Sequence, residues 1–438
     1  MEAEKIRELS LACQTEVLAL RKYFHCAPEL SAREQSTMAA IAAQLQKSGI
    51  PFTVIPDGGI LAHLDWADAN APDAPHVLLR ADCDALPIQE SETNGTFSRA
   101  YQSAVPGVSH MCGHDAHMAM LLGAAGVLKQ LRQGDATLRG RVYLLFERGE
   151  EGGCNYYYIL KYIQSKKIRI DSCVGLHVAP DLPTGSIWLE EGPGHAGNVN
   201  FEIALTGTGG HGSRPDLANN PLDCFVAIAN DLNTFRMKCI PPQDILTVNI
   251  GSVHCGAKRN IVPQRLEFKG TCRFYNSKSG SRFKKKLRQI ITANADLYGC
   301  QAEFGVFTGP SMAQLNHREA AALARSAFRE VFPEITQIAE KEPEMSSESF
   351  GVLCSYYPGM MGLLGTGCPE KGTTQGLHNP QFDLDTDALP YGVAVYAAYA
   401  MKYLEENPQF SFQPFPGDID EMMAYTDRPV PPRLDPEM

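Results

Sequence analysis

His110-Met111-Cys112-Gly113-His114-Asp115-Ala116-His117 places three imidazoles, a thiol and a carboxylate within eight residues. Such groups are costly to bury unless something binds them, and thiolate with neutral imidazole is a donor set for zinc, manganese, cobalt and iron. Cys112 and His114 flank one residue, so in an extended or turning segment both point the same way. Gly149-Glu150-Glu151-Gly152-Gly153 follows the apolar run 142–146, and Gly175-Leu176-His177-Val178 lies in another short apolar segment. In a loop, adjacent glutamates diverge. One can bind a cation while the other reaches a water held by that cation, the division that metal-assisted hydrolysis requires. The three segments read as one hydrolytic metal centre. A competing reading makes Cys112 a nucleophile with His114 or His177 as base. It supplies no orienting Asn or Asp and leaves the glutamate pair without a task.

Around this centre, Asp82 is expected to accept the second ring nitrogen of a metal-bound histidine, and Asp84 to be structural. His25, His110, His117, His195 and His254 read as scaffold or surface residues. In Thr206-Gly207-Thr208-Gly209-Gly210-His211-Gly212-Ser213 no GK[ST] follows, so this is not a phosphate loop. Its glycines leave His211 prominent, and Asn260 opens a nearby strand; both can donate hydrogen bonds to a substrate oxygen.

The elements that position these residues follow from periodicity. Helical spacing runs over 4–24 and stops before Pro28. Residues 77–79 form a buried strand that delivers Asp82 and Asp84 into a loop. A helix follows Gly113, and strands at 141–146 and 172–178 end near the glutamates and His177, the edge of an α/β sheet where sites assemble. From about 198 the order becomes strand 198–205, helix 221–235, strands 245–253 and 263–275, helix 283–298 and strand 301–307. This is the β-α-β-β-α-β ferredoxin-like unit, able to fold as an inserted domain. The α/β texture then returns with a helix at 318–331, the apolar run 360–365 and a helix at 386–404. The expected class is α/β: a catalytic α/β/α domain from 1–197 and 310–406, with an inserted ferredoxin-like α+β domain at 198–309. Residues 407–438, Pro-rich and acidic, are expected to be an extended surface tail or partly disordered.

A chain of 438 residues with 44% hydrophobic and 20% charged residues is globular and calls for two domains. No apolar stretch is long enough to span a membrane, and the segment Glu2-Ala3-Glu4-Lys5-Ile6-Arg7-Glu8 lacks the apolar core of a signal peptide. Thirteen scattered cysteines argue for a reducing compartment, hence the cytoplasm. A net charge of −11 disfavours nucleic acid. The one basic run, Lys278 to Arg288, lies on an amphipathic helix and reads as a solvated face, with a binding patch as the minority reading.

In their order these motifs resemble the aminoacylase/carboxypeptidase family of dinuclear metallohydrolases. Its nearest branch holds hippurate hydrolases, N-acyl-amino-acid amidohydrolases and indoleacetyl-amino-acid hydrolases. The likeness rests on Arg80-Ala81-Asp82-x-Asp84-Ala85-Leu86-Pro87, Cys112-Gly113-His114-Asp115, Gly149-Glu150-Glu151-Gly152, Gly175-Leu176-His177, Gly209-Gly210-His211 and Leu377-His378-Asn379-Pro380. The resemblance implies two divalent cations (zinc or manganese, with cobalt possible) held by Cys112, His114, Glu151, His177 and His378, with Glu150 as general base. It implies a lid that mediates homodimerisation, His211 reaching across to the other subunit's site, and hydrolysis of N-acyl amino acids. A dipeptidase or carboxypeptidase with the same centre is the alternative, and a non-catalytic metal- or ligand-binding homologue a remoter one. Lid groups such as Asn260 would hold the substrate carboxylate. Three positions depart from the pattern: Arg148 replaces a small residue, Ser349 replaces an Asp, and Gly212-Ser213-Arg214 replaces an apolar pair after His211. Arg148 and Arg214 are expected to bear on the substrate pocket.

Overall fold

The computed structural model describes residues 2–134, 138–152 and 154–435; Gly153 of the glutamate motif and tail residues 436–438 lie outside them. In chain order, α1 (Ala3–Ala12), α2 (Gln14–Cys26) and α3 (Gln35–Lys47) precede β1 (Phe52–Ile55), β2 (Gly59–Asp65) and β3 (His76–Asp82). Next come α4 (His114–Gly134), β4 (Arg141–Glu147), α5 (Tyr156–Ser165), β5 (Ser172–Pro183), β6 (Ser186–Trp188) and β7 (Gly192–His195). A middle segment contains β8 (Gly197–Thr206), β9 (Gly210–His211), α6 (Pro221–Cys239), β10 (Leu246–Cys255), β11 (Ile261–Val262), β12 (Arg265–Phe274), α7 (Ser277–Leu297) and β13 (Gln301–Thr308). The last part holds β14 (Gln314–Asn316), α8 (Arg318–Val331), β15 (Thr336–Ile338), α9 (Phe350–Cys354), β16 (Gly359–Gly367), α10 (Leu389–Glu406) and α11 (Ile419–Thr426).

One sheet has the order β1-β2-β4-β3-β5-β16-β6-β15 and is parallel across β4-β3-β5-β16. Every residue of β3 is buried, because helices cover both faces of the sheet. Val77 and Leu79 pack with α1, α2, α4, α8 and α10, while Leu78 packs with α5, α9 and α11. The result is the expected α/β/α sandwich. A second sheet, β10-β12-β8-β13, is antiparallel. Alternating burial along β10 and β12 leaves one face wet, and the other packs on Phe283, Leu287 and Ile291 of α7 and on Cys224 and Ile228 of α6. This lid ends in the two-residue pair β9–β11. Among the described residues no helix is long and apolar enough to cross a membrane.

Two expectations need correction. The 4–24 helix is two helices, because the chain turns at Cys13 (ψ 0°) while its Sγ donates to Ser10 O; both halves keep helical spacing, so the break leaves no periodic trace. The tail is not simply extended. It carries α11, which an Asp418/Glu421 capping box starts, and Ile419, Met422 and Met423 enter the core beneath the sheet. The basic face of α7 is mostly solvated, but Lys284 pairs with Asp427 at 2.8 Å.

Behind the α4 N-terminus lies a buried charge network. His25 bridges Asp115 (2.8 Å) and Glu90 (2.9 Å), and Arg21 reaches Asp115 and Asp383. Burial opposes a charge on His25, but the two carboxylate hydrogen bonds outweigh it and hold the pKa up at about 9. An unfolded histidine titrates near ~6.5. The contribution to stability is therefore complete below that pH and is lost as pH rises through the folded value, an effect on the order of 3 kcal/mol. Urea midpoints should fall between these pH values, and His25→Gln should flatten the profile.

Candidate metal centre

The polar residues gather where the parallel strands stop, as the topology of an open sheet requires. Asp82 ends β3, Glu150 and Glu151 follow β4, His177 lies in β5, and His378 follows β16. Two glycines shape the approach. Gly113, at φ +81°, starts α4, and a Cβ there would meet Val178 Cγ2 at 2.4 Å. Gly149, at φ +69°, turns the chain off β4, and a Cβ there would meet Asn155 Oδ1 at 2.1 Å. Both conformations strain any other residue.

The structure brings six of the sequence candidates together. Ligand atoms of Cys112, His114 and His177 lie within 4.8 Å of one another, as do those of Cys112, Glu151 and His378, and of His114, Glu150 and Glu151. Cys112 Sγ is 3.5 Å from His177 Nε2, and His378 Nε2 is 3.2 Å from Glu151 Oε1. The outer nitrogens are fixed by main chain: His114 Nδ1 on Asp84 O and His177 Nδ1 on Val178 O, each at 2.8 Å. His114 Nε2 is buried with no hydrogen-bond partner, 3.9 Å from the Glu151 Oε1 that faces His378. An orphaned ring nitrogen among thiol, imidazole and carboxylate is what a metal ion would satisfy. The site fits two such ions.

Glu150 Oε1 accepts the Ser349 N–H at 2.9 Å. Burial first, then the charges of Glu348, Glu151 and Asp84, push its pKa well above the ordinary carboxylate value, as suits a group that exchanges protons. Burial pushes the Cys112 thiol well up, with His114 opposing. That is the reverse of an activated nucleophile. His177, whose Nε2 is 3.5 Å from the Cys112 Sγ, is oriented by a carbonyl and not by a carboxylate.

Asp82 does not accept the outer nitrogen of a candidate ligand. Its Oδ1 takes His117 Nδ1 at 2.6 Å, and its Oδ2 takes Arg80 at 2.8 Å. Both nitrogens of His117 are used, since Nε2 accepts the Val178 N–H, so it is scaffold as expected. Arg148 is corrected more sharply. It is 2% exposed, donates to Glu34 and Ala32 O, and pairs with Asp435 of the tail. The turn at Gly149 separates it from Glu150, and it does not line the cleft. His211, Asn260 and Arg214 sit on the lid tip. Ser213 Oγ bonds the His211 ring, the Asn260 carbonyl accepts the Gly212 N–H, and Arg214 pairs with Asp216. None of them lines the cleft of about 490 Å³ that holds Cys112, Glu150, His177 and His378.

Sequence reading gave no task to Arg80 or Ser349 and took His195 as scaffold or surface. Arg80 donates to Asp82, Glu147 (2.6 Å) and Ser349 Oγ (2.9 Å), and pairs with Glu348 at 3.0 Å. Ser349 Oγ donates to Glu147 Oε1 at 2.9 Å, where an Asp would set one carboxylate against another. His195 lines the cleft with Nδ1 unpartnered. The signal for Arg80 lay in an arginine inside a strand otherwise apolar to its end.

The profile of Peptidase family M20/M25/M40 matches residues 78–402. "Thermostable carboxypeptidase 2" of Saccharolobus solfataricus is 30% identical over 403 residues, 91% of this chain and 98% of that protein. "N-acetylcysteine deacetylase" of Bacillus subtilis is 31% identical over 396 residues, 90% of this chain and 98% of its own length. The crystal structure of the Bacillus subtilis YXEP protein, described as a dinuclear metal binding peptidase, superposes with a TM-score of 0.73 at 28% identity, covering 90% of this chain and 99% of that one.

Proposed function

The chain belongs to peptidase family M20/M25/M40, and from that premise we propose that it hydrolyses the amide bond of N-acyl amino acids to a carboxylic acid and a free amino acid. The observation that carries this reading is Glu150 beside the orphaned His114 Nε2 and the Glu151 carboxylate. Cys112, His114, Glu151, His177 and His378 would hold two divalent ions, zinc foremost, with manganese or cobalt as alternatives. Bound there, the ions supply Lewis acidity to the acyl carbonyl and acidify water. Glu150 takes the water's proton at its carboxylate and returns it to the leaving nitrogen. Arg80 and Ser349 hold the loops on which Glu147, Glu348 and Glu150 stand.

His211 and Asn260 belong to the same reading through a homodimer formed by the lid. His211 of the partner subunit would donate to the oxyanion, and Asn260 would hold the substrate carboxylate. Their exposed position at the lid tip supports this, as does their absence from the lining of their own cleft. The reading places a lid at 198–309 between catalytic segments 1–197 and 310–406, and the scattered cysteines support a cytoplasmic setting. The substrate is a small molecule.

N-acetylcysteine deacetylase favours the acyl-amino-acid reading, and thermostable carboxypeptidase 2 a peptidase one. A panel of acyl-amino acids and dipeptides decides between them: turnover of blocked substrates is expected, and turnover confined to free dipeptides would reverse the assignment. Crossing of His211 between subunits has its own check. An equal mixture of Glu150→Gln and His211→Ala chains should recover about one quarter of wild-type activity, since half the dimers are mixed and each holds one intact site. A site complete within one chain gives no recovery.

A further inference from the structure

We propose that a second cavity beside the glutamate pair is a subsite for a carboxylate-bearing limb of the substrate, and that Arg428 is the residue that selects it. This rests on the amidohydrolase reading and deepens it. The cavity, about 310 Å³, shares Glu150, Glu151, Ser347 and Glu348 with the metal cleft and extends from them to Arg428. A limb bound in it stays attached to an amide held at Glu150.

Arg428 lies on the tail, just past α11 and beyond residue 402, where the family match ends. Its guanidinium is mostly buried, yet the groups it touches are neutral. It donates to Cys154 Sγ at 3.1 Å and also hydrogen-bonds Tyr156. Among the described residues it has no carboxylate within ion-pair distance, although three carboxylates line the same cavity. Those three are already engaged: Glu348 with Arg80, Glu151 with His378, and Glu150 with the Ser349 N–H. A guanidinium withdrawn from water without a counter-ion is expensive. It is retained where an anion completes it, and arginine's planar fork suits a carboxylate best. The walls agree. Asn198, Asn200, Ser311 and Ser347 offer amides and hydroxyls.

The test compares matched substrates that differ by one charge: N-acetylglutamate against N-acetylglutamine for the amino-acid limb, and N-succinylleucine against N-butyrylleucine for the acyl limb. In one pair the charged member should show a kcat/KM at least about tenfold higher, the worth of one charge-assisted hydrogen bond, carried mainly by KM. That pair names the limb. Arg428→Gln should abolish the charged-to-neutral ratio, and Arg428→Lys should keep part of it. Equal kcat/KM within both pairs overturns the proposal, as does an equal loss on charged and neutral members in Arg428→Gln, which would make Arg428 a packing residue. If Arg428→Gln does not fold, the wild-type ratios and Arg428→Lys decide. A binding arm needs no turnover. By calorimetry, glutarate should bind the wild-type holoenzyme at least about tenfold tighter than butyrate, and the difference should vanish in Arg428→Gln. If no acyl-amino acid is hydrolysed, the function falls while this arm still decides the subsite; glutarate binding no better than butyrate overturns it.

Discussion

Glu150→Gln is expected to fold and to keep its metal, yet to lose between about a hundredfold and ten-thousandfold in kcat, the range a positioned proton-transfer group supplies. The amide oxygen of Gln can still accept the Ser349 N–H that Glu150 accepts at 2.9 Å, so the loop need not move. What is lost is a site for a proton. The ligand atoms of Cys112, His177 and His378 are untouched, and elemental analysis beside steady-state rates separates chemistry from assembly. An active variant with full metal content removes Glu150 from the mechanism.

Arg80→Met should cost about 3–5 kcal/mol of stability, the penalty for deleting one partner of a buried ion network. Arg80 is 1% exposed and bonds Asp82, Glu147, Ser349 and Glu348. Its removal strands three carboxylates beside the Phe350 ring, whose centroid lies 5.6 Å from the guanidinium. Tyr396 still anchors the main chain through Arg80 O, so the loss falls on the side-chain network. Guanidinium-chloride unfolding measures it. Arg80→Lys should restore only part, because an ammonium lacks the planar fork that spans several acceptors. Wild-type stability in Arg80→Met would show that solvent or relaxation neutralises these acids.

How much was readable from the residues varied with the range of the interaction. Period-2 and period-3.6 patterns belong to single elements, so the order from β8 to β13 and the strands ending near Asp82, Glu150 and His177 were legible. His378 was not: it lies 201 residues after His177 (378 − 177), and only resemblance to a family supplied it. The partners of Arg148 lie 114 and 287 residues away. No local pattern marks so distant a pairing, and an arginine beside two glutamates reads more naturally as part of their chemistry. In the tail, prolines hid α11, although Asp418, Glu421 and the apolar trio of Ile419, Met422 and Met423 formed a short but complete helix signal. Asp82 was matched to the right kind of partner and the wrong histidine, since spacing cannot tell His117 from a residue three positions earlier.

The docking of Asp435 bears on how the protein is made. Its carboxylate accepts the Asp57 N–H and pairs with Arg148, and the Leu434 and Asp435 amides return to Asp57 Oδ1. The residue immediately before the glutamate loop is therefore neutralised in part by a carboxylate 287 residues further along the chain. A nascent chain arrested in the 420s would possess every metal donor and both sheets, but its Arg148 would lack one of its two carboxylates. The glutamate loop thus acquires its full set of contacts only once residue 435 is in place, and truncations that remove Asp435 should behave as defects in the centre and not as harmless trims.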